Sequence, residues 1–155
     1  MRLSRLDEKV KIKIAHEISR IERLITDAKP LLSLCKIQEP DFIEITAAAQ
    51  ILHSFYNGVE SVIILILKSS DKKIPNEGSW HKTLLEMAFT DNSNNIKLFD
   101  ETIKDKMEDY LSYRHFIRHS YSSELKWNEM KPLVNELEEI WEITKMNFGT
   151  FIKNN

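Results

Sequence analysis

Apolar residues recur at three- and four-residue steps along most of the chain, the period of a helix that buries one face. The first such stretch runs from about Leu6 to Ala28 on Val10, Ile14, Ile18, Ile21 and Ile25, and Asp27, Pro30 and Glu39-Pro40 predict its end. A second helix is expected from Asp41, an N-cap set just after Pro40, to about Lys68. Its Ile45, Leu52, Phe55, Val59 and Ile63 form one stripe, while Ile64, Ile66 and Leu67 make the last two turns apolar almost all round. Such a helix lies at the centre of a bundle or in an oligomer interface. A polar loop from Ser69 to Ser79 follows, then a short helix from Trp80 to Phe89 and a second loop around Asp91–Asn95. A fourth helix is expected from about Leu98 to about Arg118. After Tyr121-Ser122-Ser123, a last one runs from about Asn128 or Pro132 to about Ile152, with Pro132 tolerated only in its first turn. The expected fold is all-α: an antiparallel bundle of about five helices in one domain, residues 1–155.

Composition strengthens this reading. Three glycines and four prolines are too few for the frequent turns of a sheet protein. A net charge of −2 excludes a protein that coats nucleic acid through bulk positive charge, so any RNA contact must be focused. The single cysteine, Cys35, excludes an internal disulfide and sits in an apolar run, where it reads as a small buried hydrophobe. Charges at Arg2, Arg5, Asp7, Glu8 and Lys9 interrupt any signal-peptide core. The longest uninterrupted apolar run, Val62 to Leu67, is far below the roughly 20 residues of a membrane span. A soluble, cytoplasmic protein with no membrane association is expected.

Chemistry concentrates on the fourth helix. Ile103, Met107, Tyr110, Leu111, Arg114, Ile117 and Tyr121 share one face, which embeds Arg114 in an apolar stripe. A guanidinium does not lose its proton, so it needs a carboxylate, a phosphate or a wet cleft there. Taken alone, Arg114 is equally well explained by a structural salt bridge. His119 lies about 140° from it around a regular helix, so the two converge only if the helix ends nearby. Ser120-Tyr121-Ser122-Ser123 offers that exit.

The run Arg114-His115-Phe116-Ile117-Arg118-His119-Ser120-Tyr121 matches R-x-x-x-x-H-x-Y, and it resembles the signature of HepT-like ribonuclease toxins of the HEPN superfamily. The likeness extends over Leu52–Glu60, Trp80–Leu85 and Trp127–Phe151, hence most of the chain from about Phe42 onwards. The resemblance implies a type II-like toxin–antitoxin system in which the toxin cleaves transfer or messenger RNA. It also implies a homodimer, or a larger assembly of dimers, with two motifs facing one cleft. A minimal nucleotidyltransferase (MNT) antitoxin would silence the toxin by adenylylating Tyr121. The residue types suit metal-independent cleavage, with the substrate 2′-hydroxyl as nucleophile. His119 would move a proton and Arg114 would hold the non-bridging phosphate oxygens. No Glu-x-x-His or His-Glu-x-x-His occurs, so neither a metal nor another cofactor is expected.

His115 and Arg118 are candidates to widen the phosphate surface, against the alternative of a solvated helix face. Tyr121 is either part of the site or a residue capping the core. Asn57-Gly58 reads as close helix packing, His53 and Glu60 as core or surface residues on one face that could support the site from behind, and His81 as a surface or packing residue that could approach the cleft. His16 needs no function. Glu136, Glu138 and Glu139 read as a solvated face, and Trp127, Trp141, Phe148 and Phe151 as core. Two other classes of function stay open at this stage. One is a HEPN module that binds RNA or nucleotide without cutting; the other is a helical interaction protein.

Overall fold

The computed structural model describes residues 6–69, 73–89 and 98–155. Six α-helices and no strand occur among the described residues: α1 (Glu8–Ile37), α2 (Phe42–Ser69), α3 (Trp80–Phe89), α4 (Lys104–His119), α5 (Trp127–Asn135) and α6 (Leu137–Asn154). The all-α bundle expected from the periodicity is therefore correct. The loop around Asp91–Asn95, part of the Ser69–Ser79 loop and the N-terminal Arg2 and Arg5 lie outside the described residues.

Local chemistry sets most boundaries. The Asp7 carboxylate accepts from the Lys9 amide at 3.2 Å and starts α1. At α2 the exchange is reciprocal: Asp41 Oδ1 accepts from the Glu44 amide at 2.8 Å, and Glu44 Oε1 from the Asp41 amide at 2.9 Å. This capping box satisfies two donors that a helix start leaves unpaired.

Three boundaries differ from the expectation. α1 does not stop near Pro30 but carries that proline inside it and runs on to Ile37. An interior proline costs about 3 kcal/mol. Beyond it lie Leu32 and Cys35, both buried, and burying a leucine alone gains about 1.5–3 kcal/mol. The last helix is two helices, broken at Glu136, whose amide bonds back to the Pro132 carbonyl at 3.1 Å. The break re-aims the chain: α5 packs on α1, α2 and α4, while α6 returns along α1. Pro132 lies in the sixth position of α5 rather than its first turn, on the exposed side. The fourth helix begins later than expected, after a 3₁₀ turn at Glu101–Ile103.

α2 is the centre of the bundle. Phe55, Tyr56, Val59, Val62 and Ile66 are wholly buried on it, and α1, α3, α4 and α5 all pack against it. By length and composition α2 would also suffice to cross a membrane, which a count of uninterrupted apolar residues understates. The aromatic residues of the C-terminal helices join the same core: Trp141 meets Phe55 edge-on at 6.3 Å, and Phe148 meets Phe99 at 5.3 Å. Trp127 and Phe151 are buried as expected, and so is Cys35, whose thiol is pushed up chiefly by its burial.

Polar bonds lock the outer helices in register. Trp141 Nε1 donates to Glu22 at 2.5 Å and ties α6 to α1, with Lys145 Nζ on the same carboxylate at 3.2 Å. The Tyr110 hydroxyl donates to the Leu133 carbonyl at 2.7 Å and ties α4 to α5. Of the acidic group read as solvated, Glu139 is exposed, but Glu136 pairs with Lys106 and Glu138 lies 3.7 Å from Lys36.

At the Asn57-Gly58 pair α1 lies close against α2. A Cβ on Gly58 would lie 2.6 Å from Ile21 Cγ1, inside van der Waals contact. Gly58→Ala therefore destabilises the protein by about 1–3 kcal/mol of overpacking, more than alanine's helix preference of about 1 kcal/mol returns. Urea unfolding measures this. Combining it with Ile21→Ala costs less than the sum of the two single changes, because the second removes the overlap.

Candidate active site at the C-terminal end of α4

The apolar stripe of α4 buries Met107 and Tyr110, continues that of Ile103 in the 3₁₀ turn before it, and carries Arg114 into the interior with them. Arg114 is only 8% exposed. Its Nε donates to Asn57 Oδ1 on α2 at 2.6 Å, and no carboxylate pairs with it among the described residues. The salt-bridge alternative for Arg114 thus fails. Its cationic head is held by a neutral amide on one side and has no counter-ion among the described residues.

Asn57 is the residue that sequence reasoning assigns to packing alone, and it shapes the site. Its Oδ1 faces Arg114, which turns its Nδ2 towards the His53 ring, 3.4 Å from Nδ1 and 3.5 Å from Nε2. A ring nitrogen can accept only while it lacks a proton. Burial holds the His53 pKa below its ordinary value, and the charges of Arg114 and Arg118 push in the same direction. The chain His53–Asn57–Arg114 therefore stands with a neutral imidazole at one end and a fixed guanidinium at the other.

α4 ends where the site needs an end. His119 is its last residue, and Ser120 is extended at φ −118° and ψ 151°. The Tyr121 amide then bonds to Glu124 Oε1 at 2.8 Å, opening a 3₁₀ turn at Ser122–Glu124. The helix thus runs one residue beyond the expected Arg118. His119 lies against His115, one turn back, with ring centroids 4.5 Å apart. His115, Arg118 and His119 are all exposed.

Tyr121 does not share the buried stripe with Arg114, nor does it cap the core. It is 80% exposed, because the extended Ser120 takes the chain off the helix and the three- and four-residue spacing stops applying.

Between α3 and α4 runs an open groove of about 750 Å³, and both Arg114 and His115 line it. Lys82 and Lys104 add positive charge to its walls, Glu86 and Glu108 negative. His81 of α3 also faces it. This histidine is not a free surface residue: its Nδ1 donates to Glu60 Oε2 on α2 at 2.8 Å, and its ring stacks on Trp80. Glu60 is only 6% exposed. Its place between the buried Val59 and Val62 was the sequence signal for a required partner. Among the described residues no group of three or more His, Cys, Asp or Glu side chains is placed to hold a metal ion.

The His53 shift has a consequence for stability. Where the folded pKa lies below the unfolded one, the unfolded state binds more protons in the interval between them. Stability is therefore full above about pH 6.5 and falls as acidification carries the pH through that interval. Denaturant midpoints across pH 7 to 5 should show this loss, and His53→Gln should flatten it. In Arg114→Met the His53 ring resonances should titrate at higher pH than in the parent protein.

A family model described as HepT-like protein matches residues 47–155, which include α3, α4 and the groove between them. No curated protein and no solved structure matches the chain. The match spans well over half of the sequence and takes in Arg114, His119 and Tyr121, and the chain belongs to the HepT-like family of the HEPN superfamily.

Proposed function

We propose that this HepT-like protein is a metal-independent endoribonuclease toxin acting through Arg114 and His119. The observation that carries the reading is Arg114 itself: a buried guanidinium, oriented by Asn57, with no carboxylate partner among the described residues and with an open groove at its face. Burying such a charge is costly unless an anion completes it. A phosphodiester is an anion that a planar donor fork fits. The family supports the same class, HEPN-type ribonuclease modules.

In this mechanism the RNA 2′-oxygen attacks phosphorus, the bond from phosphorus to the 5′-oxygen breaks, and a 2′,3′-cyclic phosphate forms. Arg114 stabilises the charge that grows on the non-bridging oxygens. His119 takes the proton of the 2′-hydroxyl. His115 and Arg118, exposed beside it, extend the phosphate surface.

Within one chain Arg114 bonds Asn57 while His119 lies on His115. Two chains facing each other through the end of α4 would bring the histidine of one towards the arginine of the other, so the working unit is a homodimer. Tyr121 is the regulatory residue. An MNT antitoxin would transfer AMP from ATP to its hydroxyl and release pyrophosphate. Its 80% exposure supports access by a second enzyme. The added phosphate would then compete with RNA for Arg114 and His119.

Purified protein incubated with total RNA should yield fragments ending in 2′,3′-cyclic phosphate and 5′-hydroxyl, undiminished by chelator. His119→Ala should lower the cutting rate by about 10²–10⁴-fold without lowering the melting temperature. Cutting that a chelator abolishes, or that His119→Ala leaves intact, contradicts the mechanism.

A further inference from the structure

We infer that His81, held by Glu60, is a second acid–base residue of the site, the one that protonates the leaving 5′-oxygen. This rests on the ribonuclease reading above and supplies the step which that reading leaves unassigned, protonation of the leaving 5′-oxygen.

The pair has the geometry of an oriented histidine. Glu60 Oε2 accepts from His81 Nδ1 at 2.8 Å, which fixes both the ring plane and the position of one proton. Trp80 stacks on the ring at 3.6 Å and closes one face. The other nitrogen, Nε2, is left for exchange, and His81 lines the same groove as Arg114 and His115. A carboxylate as deeply buried as Glu60 is a poor way to join two helices, since an apolar pair of similar size would serve at least as well. Orienting a histidine in a groove that it shares with Arg114 gives that carboxylate a use.

The balance of the step is simple. His119 receives the 2′-hydroxyl proton as the new bond from the 2′-oxygen to phosphorus forms. His81, as the imidazolium, gives its Nε2 proton to the 5′-oxygen as the bond from that oxygen to phosphorus breaks. Glu60 keeps its hydrogen bond to Nδ1 throughout and faces the imidazolium charge.

His81→Asn separates this role from a structural one, because its amide nitrogen takes the place of Nδ1 and still donates to Glu60 while Nε2 is lost. The assay compares an oxygen-linked RNA with the same RNA carrying sulfur at the 5′-bridging position, a leaving group that needs no proton. His81→Asn should slow cleavage of the oxygen-linked RNA by about 10²–10⁴-fold and leave the sulfur-linked RNA nearly as fast as with the parent protein. Glu60→Gln, which keeps an acceptor for Nδ1, should show the same pattern more mildly and serves if His81→Asn does not fold. Full activity of both variants on oxygen-linked RNA, or equal slowing on both substrates, overturns the assignment while leaving an active, His119-dependent ribonuclease standing. Parent protein that cuts neither RNA removes the ribonuclease reading and this assignment with it.

Discussion

The burial of α2 governs what the rest of the molecule can do. Four other helices pack on α2, and two of the polar side chains it turns towards them are met by partners on neighbouring helices. Asn57 is met by Arg114 of α4 and Glu60 by His81 of α3. These two bonds hold α3 and α4 on one side of α2, and the groove opens between them. The Tyr56 hydroxyl, between them in sequence, has no hydrogen-bond partner among the described residues, and burial keeps it protonated well above the ordinary tyrosine range.

The energetic logic of the site follows from what is missing around Arg114. Stability alone would favour an apolar side chain or a carboxylate partner there. The protein instead holds the guanidinium with a neutral amide, which orients it without cancelling its charge. Neighbouring groups keep to the same sense: His53 is held towards its neutral form, and Arg118 lies close enough to act on it. The result is a small positive site on a body of net charge −2, as focused recognition of a phosphate requires.

Periodicity made the fold legible because helices with one buried face repeat their apolar positions, and α2, α3 and the core aromatic residues lie where that repeat puts them. Pro30 misled because a local penalty was weighed without the burial of Leu32 and Cys35 beyond it. The break at Glu136 was invisible because the apolar stripe continues unbroken from Leu133 through Leu137 to Trp141. In the site, Arg114 was readable as a cation in an apolar stripe and the helix end as a serine-rich exit. Tyr121 was misplaced because helical spacing was carried past that end. Asn57 and the Glu60–His81 pair were missed in role because they act between helices, and no spacing within one helix encodes a partner on another.

The central claim is that Arg114 is a phosphate-binding cation and not a structural one. The most direct measurement is the affinity of a non-cleavable 2′-O-methyl RNA for the parent protein and for Arg114→Met, followed over a salt series. The account predicts weaker binding by the methionine protein and a log–log salt slope shallower by about one for each phosphate that the arginine neutralises. Equal affinity and an equal slope in the two proteins would contradict it.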